Sequence, residues 1–487
     1  MTTPSSRPNL LFILIDDMGW RDLGCYGSTF YETPHLDRMA AEGVRFTDAY
    51  ASCPVCSPTR ASVMTGRYPA RVGITNFIAG NAWGKLMGVP YFTALPVEER
   101  TVAQELREAG YATWHVGKWH LGPDGHWPRD FGFDVNVGGC DKGHPPSYFS
   151  PYRIPTLAEG PEGEYLTDRL TDEAIALVRR QRAERPDQPF FLNLWHYAVH
   201  TPIQSPPDLV AKYEAKAKAM GLDESQAVEL GEHFPCLHKK DQRVARRRFQ
   251  SHAGYAAMME NLDTNIGRLM ATLRELGILD DTLVIFTSDN GGLSTAEASP
   301  TCNAPLDEGK GWMTDGGNRV CLLARGLGVR GGARTCDVPV TSTDFFPTML
   351  EAAGLPLKPD LHCDGQSLMP LLRGTGQLQR EAIYWHYPHY SNQGGTPSCA
   401  VRAGDWKLIE YFEDDRLTLF NLRDDIGEQH NLAADEPEVV RDLHQQLAAW
   451  RESIEAKIPD VNPHYADMLA GRRPCPNGNG IIPGDDH

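Results

Sequence analysis

The chain has 487 residues, 41% apolar and 23% charged, proportions of a large globular protein with room for more than one domain. Its formal net charge of −17 argues against nucleic acid and against an anionic membrane as main partners, so an anionic ligand must be drawn in by a local positive site. The 11 cysteines are odd in number and scattered, which argues against a dense disulfide scaffold.

Met1 to Pro8 are polar. Leu10 to Ile15 is an uninterrupted apolar run, too short for a signal-peptide core or a membrane span. As numbered, the protein is expected in the cytoplasm; a leader ahead of this sequence would make it exported. Without alternation, the run predicts a strand buried on both faces, ending at Asp16-Asp17. A helix is expected around Leu36 to Ala41. The segment Cys53-Pro54-Val55-Cys56-Ser57-Pro58-Thr59-Arg60 follows. Pro58 suits a first helical position, Ser57 is placed to cap it, and Arg60 is placed to reach back to Cys56. A cysteine at the positive end of a helix beside a cation suits a nucleophile acting on an anion. Two plainer readings stay open: Cys53 and Cys56 as half of a zinc site or a redox pair, and Cys56 as an inert buried thiol.

Thr101 to Gln104 has the pattern of a capping box, and the helix it opens stops at Gly110. A strand is expected at Ala112 to Val116, ending in Gly117-Lys118-Trp119-His120. Pro123 to Pro161 reads as loop. A helix from about Asp172 to Arg182 precedes a strand at Phe190 to Trp195, which ends near His200-Thr201-Pro202. Pro207 to Arg248 reads as a polar helical insertion, with the basic run Lys239 to Arg248 as a solvated helix face. A long helix from Gln250 to Leu276 leads to a strand at Leu283 to Phe286, ending in Ser288-Asp289-Asn290-Gly291. A loop then carries Lys310, a short apolar run begins at Val320, and Asp344 to Ala353 is a helix.

Strands alternating with helices predict an α/β fold: a large, mostly parallel sheet sandwiched by helices, with ligands bound beyond the carboxyl ends of the strands. Four apolar runs each end in charged or imidazole residues, which argues for one polar site along one sheet edge. After about Arg373 the pattern changes. Ala382–Trp385, Trp406–Phe412 and Leu417–Leu422 read as short strands, the last two as a hairpin turning at Asp414-Asp415, followed by a helix from Glu436 to Lys457. The expected division is residues 1–375 as catalytic domain, 376–471 as a smaller α+β subdomain with an antiparallel sheet and a helix, and 472–487 as a tail.

Asp16, Asp17, Asp289 and Asn290 form an oxygen-rich set suited to Ca²⁺ or Mg²⁺. Lys118, His120, His200 and Lys310 supply positive charge and transferable protons for a tetrahedral anion. His386, His389 and Arg402, in or beside the C-terminal strands, are candidates for a sugar pocket, with Trp83 and Lys85 as weaker ones.

These segments together resemble the type I sulfatases of the alkaline-phosphatase superfamily, in the arylsulfatase and carbohydrate-sulfatase branch. The resemblance is carried by NLLFILIDDMG at Asn9–Gly19, CSPTRASVMTGR at Cys56–Arg67, GKWHLG at Gly117–Gly122, His200-Thr201-Pro202, TSDNGG at Thr287–Gly292 and KGWMTDGGNRV at Lys310–Val320. Asp405 to Leu408 and Leu419 to Leu422 resemble the family's C-terminal subdomain. Thr59 and Asp315 stand where the family often has Ser and Glu. The resemblance implies that a maturation enzyme converts Cys56 to formylglycine, whose hydrate attacks sulfur, and that Cys56 in this form joins Asp16, Asp17, Asp289 and Asn290 around the metal. It implies that Arg60 steadies the formylglycine, that Asp289 is the base for the attacking hydroxyl, and that Lys118, His200 and Lys310 hold the sulfate. His200 is then the acid for the departing alcohol, and His120 accepts the proton when sulfate is released. The expected activity is hydrolysis of a sulfate ester, with a sulfated saccharide as substrate. A phosphonate monoester or phosphodiester hydrolase, and a non-catalytic anion- or glycan-binding protein with unconverted Cys56, are the alternatives.

Overall fold

The computed structural model describes residues 7–329 and 332–475. The expected tail therefore lies mostly outside the described residues.

The strands are β1 (Asn9–Ile15), β2 (Val44–Tyr50), β3 (Ala112–Gly117), β4 (Val135–Val137), β5 (Phe190–Trp195), β6 (Val228–His233), β7 (Arg243–Arg247), β8 (Thr282–Ser288), β9 (Arg319–Arg325), β10 (Arg334–Cys336), β11 (Val340–Thr341), β12 (Ala382–Tyr387), β13 (Ser398–Ala403), β14 (Trp406–Tyr411) and β15 (Arg416–Asn421). The large sheet has the order β10-β2-β9-β8-β1-β5-β3-β4, with β11 also on β2. Strand β1 lies between β5 and β8 and is parallel to both. Strand β9 is antiparallel to both its neighbours, so the chain enters it at the edge where β1 and β8 end.

Strand β1 shows why an uninterrupted apolar run was needed. Leu11, Ile13 and Ile15 join one core with the helices Leu166–Glu184 and Ala253–Glu275. Leu10, Phe12 and Leu14 join another with the helices Cys56–Thr65, Val102–Glu108 and Phe345–Ala352. Helices thus cover both faces of a mostly parallel sheet. The capping box at Thr101 forms as its sequence predicts.

The C-terminal sheet, β12-β13-β14-β15, is antiparallel throughout. Its alternation is also two-sided. Ile383, Trp385, Tyr387, Ala400 and Ile409 pack on Tyr50, Cys53 and Val55 of the larger unit. Ala382, Cys399, Val401 and Leu408 pack on Leu443 and Leu447 of the helix Pro437–Ser453. A buried charge network reinforces the first contact: Lys407 Nζ lies 2.7 Å from Asp315 and 2.9 Å from Glu428, and Arg402 lies 2.7 Å from Asp48.

Three expectations are corrected. Of the expected helical insertion, the main helix is Pro207–Ala219; β6 and β7 form an antiparallel hairpin. The basic run ends in β7, where Arg246 pairs with Glu232 and Glu308 and Arg247 with Glu224, so its arginines are matched by acids instead of lying along a solvated helix. Strands β2 and β13 fell between the predicted elements, because VRFTDAY and SCAVRA mix polar residues into buried strands.

Candidate active site

The helix Cys56–Thr65 is buried along its whole length. Its local geometry differs from the expectation. It starts at Cys56, so Pro58 lies within the first turn, and no side chain caps it. Ser57 Oγ instead accepts from the Ile78 N–H at 3.1 Å. Arg60 does not turn back to Cys56. Its Nε and one terminal nitrogen donate to Asp289 Oδ2 at 2.9 and 2.7 Å, and the other terminal nitrogen donates to the Lys118 carbonyl at 3.1 Å. The helix therefore ties the ends of β3 and β8 together.

The sheet edge gathers the other predicted residues. Lys118 Nζ donates to Asp16 Oδ2 at 2.7 Å, and Lys310 Nζ to Asp17 Oδ2 at 2.7 Å. Asn290 Nδ2 donates to Asp17 Oδ1 at 2.8 Å, and the Asp17 N–H to Asp289 Oδ1 at 3.2 Å. Gly291 explains how the Lys310 loop reaches this edge: a Cβ there would lie 1.8 Å from the Gly316 carbonyl oxygen. Cys56 Sγ is 3.3 Å from His120 Nδ1. His200 Nδ1 lies 2.8 Å from the Thr201 carbonyl and its Nε2 lies 3.0 Å from Lys310 Nζ, a pattern that assigns a neutral ring with the proton on Nδ1.

Burial and crowding set the electrostatics. Burial pushes the Asp16 carboxyl well up, with Lys118 opposing it and Asp289 adding to it. Burial also works to raise Asp17, but Lys310 and then His200 outweigh it and hold it low. Burial, then Lys310, drives His200 well below its ordinary range. Burial raises the Cys56 thiol despite Lys118 and Lys310, so as a cysteine this residue is a thiol and not an activated thiolate.

The donor set fits a hard divalent cation. Asp16 Oδ1 and Asn290 Oδ1 are buried with no hydrogen-bond partner among the described residues, and oxygen atoms of two further carboxylates, Asp17 and Asp289, are tied to the same edge. Asp16, Asp17 and His200 also place ligand atoms within 4.8 Å of one another. That is the one such group among the described residues, and it leaves the zinc reading of Cys53 and Cys56 without partners.

Cys56, His120, His200 and Lys310 line one cavity of about 880 Å³. Residues that sequence reasoning passed over complete it. His144 sets its ring 6.0 Å from that of His200, at 13° between planes. Asp141, Glu297 and Gln393 also line it. They come from loops with no chemical pattern of their own; only the Pro- and Gly-rich composition around His144 marked that loop as irregular. The proposed sugar-pocket residues do not reach this cavity. His386 bonds to the Lys457 carbonyl at 2.9 Å, His389 to Thr75 Oγ1 at 2.8 Å, and Arg402 is spent on Asp48. Arg402 serves the packing between the two sheets, while His386 and His389 tie β12 and the loop after it to neighbouring loops. Trp83 bonds to Asn81 and Lys85 faces Glu413, both away from the cavity lining.

The sulfatase family model matches residues 8–355, and the model described as N-sulphoglucosamine sulphohydrolase, C-terminal, matches 309–453. The chain belongs to the sulfatase family. It is an enzyme that hydrolyses sulfate esters. This sulfatase is 32% identical to human arylsulfatase A over 93% of its own length and 89% of the relative's. It is 33% identical to the dog N-acetylgalactosamine-6-sulfatase, over 82% of its own chain and 71% of that one. Among solved structures it superposes on Ps i-CgsB in complex with k-i-k-neocarrahexaose with a TM-score of 0.74 and 26% identity, covering 95% of this chain and 97% of that one. The phosphonate monoester hydrolase of Agrobacterium radiobacter, at 22% identity and a TM-score of 0.64 over 92% of this chain and 96% of that one, shares the alkaline-phosphatase-like fold.

Proposed function

We propose that this sulfatase removes sulfate from a sulfated saccharide, with Cys56 converted to formylglycine by a maturation enzyme and with Ca²⁺ or Mg²⁺ held by Asp16, Asp17, Asp289 and Asn290. The reading is carried by one observation: Cys56 Sγ, standing where the formylglycine oxygen would sit, is 3.3 Å from His120 Nδ1 in a cavity that Lys310 and His200 also line. Saccharide substrates are supported by the N-acetylgalactosamine-6-sulfatase relative and by the neocarrahexaose bound to Ps i-CgsB.

When bound, the cation lowers the pKa of the nucleophilic hydroxyl and polarises the sulfate. The chain's own residues do the rest. Three acids, Asp16, Asp17 and Asp289, face three bases, Arg60, Lys118 and Lys310, so added divalent charge makes the site positive toward an anion. Arg60 fixes Asp289, leaving that carboxylate placed to accept the proton of the attacking hydroxyl. Lys118 and Lys310 offset charge on the sulfate oxygens. His200, once protonated at Nε2, is the group placed to hand a proton to the departing alcohol, while Lys310 beside it keeps its charge. His120 takes the proton of the second hydroxyl as sulfate leaves.

Peptide mass spectrometry of protein from the native host, paired with sulfate release from defined sulfated saccharides, tests this reading. The Cys56 peptide is expected about 18 Da lighter than the cysteine form, from the change of thiol to aldehyde. An unmodified peptide in protein that releases no sulfate would overturn it.

A further inference from the structure

We propose that Glu297 is a specificity-determining residue of this cavity: held by Gln393, it accepts hydroxyl donors beside the sulfate ester, and it turns away substrates that carry a second anionic group there. This rests on the sulfate-ester reading of the cavity and adds which neighbouring groups the site tolerates.

The first observation is backbone strain. Glu297, Ala298 and Ser299 have φ values of 52°, 72° and 43°, three successive non-glycine residues in the left-handed region. Each such residue costs about 1–2 kcal/mol, and such turns persist only where the surroundings over-determine them. Here the surroundings do. Ser299 Oγ donates to the Ala245 carbonyl at 2.6 Å, and the Arg247 guanidinium binds the Ser299 carbonyl. The Ala245 and Arg247 N–H groups donate to the carbonyls of Thr295 and Ser294 at 3.1 and 2.9 Å. Strand β7, the unforeseen half of the polar insertion, therefore clamps the turn from both ends.

The second observation is what the turn presents. Glu297 lines the cavity and is exposed. Its Oε1 accepts from Gln393 Nε2 at 2.8 Å. Gln393 is only 4% exposed and also lines the cavity, and its Oε1 has no hydrogen-bond partner among the described residues. The wall thus offers the Glu297 carboxylate as an acceptor, held in place by the buried Gln393 amide. A free sugar hydroxyl donates to such a group, whereas a sulfate or carboxylate has no proton to give.

The third observation is charge. Lys310 is the one lysine or arginine among the lining residues, and Asp17 already engages it. A second anion on this wall would face Glu297 and Asp141, with no lysine or arginine other than Lys310 among the lining residues to meet it. Holding a carboxylate on a strained turn here selects esters flanked by hydroxyls.

The test uses matured, metal-loaded protein with 4-nitrophenyl sulfate and its 2-carboxy and 3-carboxy derivatives. The readout is the ratio of kcat/KM for the uncharged ester to that for each carboxylated one, compared between wild type and Glu297→Gln. That comparison cancels the esters' intrinsic reactivity, and glutamine retains an acceptor for Gln393. The ratio is expected to fall about tenfold in Glu297→Gln for at least one derivative, and further in Glu297→Lys. Raising the salt from 0.05 to about 0.5 M should narrow the wild-type ratio and leave that of Glu297→Gln unmoved. Ratios unchanged in both variants, or an equal loss on all three esters, would overturn the proposal while leaving sulfate-ester hydrolysis intact. Loss of sulfate release by the wild type from these esters and from sulfated saccharides alike would instead remove the sulfate-ester reading and this proposal with it.

Discussion

Arg60 donates twice to a single oxygen of Asp289, and both side chains are fully buried. This pair joins the Cys56 helix to the end of β8, so it positions the nucleophile's element relative to the acidic cluster. Removing one partner from a buried ion pair leaves the other charge uncompensated. Arg60→Ala is therefore expected to lose about 3–5 kcal/mol of stability as well as turnover. Arg60→Lys keeps the charge but loses the fork and the bond to the Lys118 carbonyl. It should retain the fold and still fall by about 100-fold in kcat, because misplacement of about 1 Å costs that much. Urea unfolding and steady-state kinetics on both variants check this.

Cys56 bears little of the structural load. It contacts His120 through Sγ, while the helix holding it is fixed by Arg60 and by the packing of Ala61, Val63 and Met64. Cys56→Ala should abolish sulfate release and leave the far-ultraviolet circular dichroism unchanged, with an unfolding midpoint within a few degrees of wild type. Residual turnover above about one thousandth of wild type would show that another group attacks sulfur.

Metal removal probes the acidic edge separately. Asp16 Oδ1 and Asn290 Oδ1 lie buried and unpartnered among the described residues, a costly arrangement that a bound cation relieves. A chelator should therefore abolish activity and lower the unfolding midpoint, and Ca²⁺ or Mg²⁺ should restore both. Asn290→Ala should weaken the metal-induced rise in the midpoint, read by titrating the ion during thermal unfolding.

What the chain order concealed is instructive. Asp16, Lys118, His200 and Asp289 were legible because each ends an apolar run, and in a parallel sheet such ends share one edge. Lys310 was legible only as part of a motif, since its loop reaches the edge by entering β9 from the opposite direction. Arg60 was visible as a cation near Cys56, yet its target, Asp289, lies 229 positions away and leaves no local signal. Glu297 was invisible for a related reason: its placement depends on a left-handed turn without glycine, stabilised by a hairpin that the arginine run disguised. His386, His389 and Arg402 looked like ligands because polar residues in aromatic strands suggest a pocket, whereas here they satisfy buried polar atoms of neighbouring segments: a carbonyl, a threonine hydroxyl and a carboxylate.

Lys407 lies fully buried between Asp315 and Glu428 and anchors the C-terminal sheet to the segment that carries Lys310. Burial raises the Glu428 carboxyl to about 7 with Lys407 opposing, whereas Asp315 is kept low by Lys407 and Arg319 against its burial. Lys407→Met leaves these two acids without their cation, at an expected cost of about 3–5 kcal/mol. Lys407→Met combined with Glu428→Gln should recover part of that loss. Additive effects in denaturant unfolding would contradict the coupling.

Asp263 gives a stability signal far from the active site. From the helix Ala253–Glu275 it accepts the N–H groups of His35 and Leu36 at 3.1 and 2.8 Å, at the start of the helix Pro34–Glu42. Burial raises its pKa from 3.8 to about 7, against the pull of those two N–H groups. The folded chain therefore keeps a proton that the unfolded chain has lost between these values. Where the folded state binds more protons, stability falls as pH rises, at up to about 1.4 kcal/mol per pH unit for one group. Asp263→Asn cannot titrate and retains one acceptor oxygen. Its stability relative to wild type should rise between pH 5 and pH 8, as measured by urea unfolding at both values. A difference that stays constant, or moves the other way, would mean that Asp263 is ionised throughout this range in the folded protein.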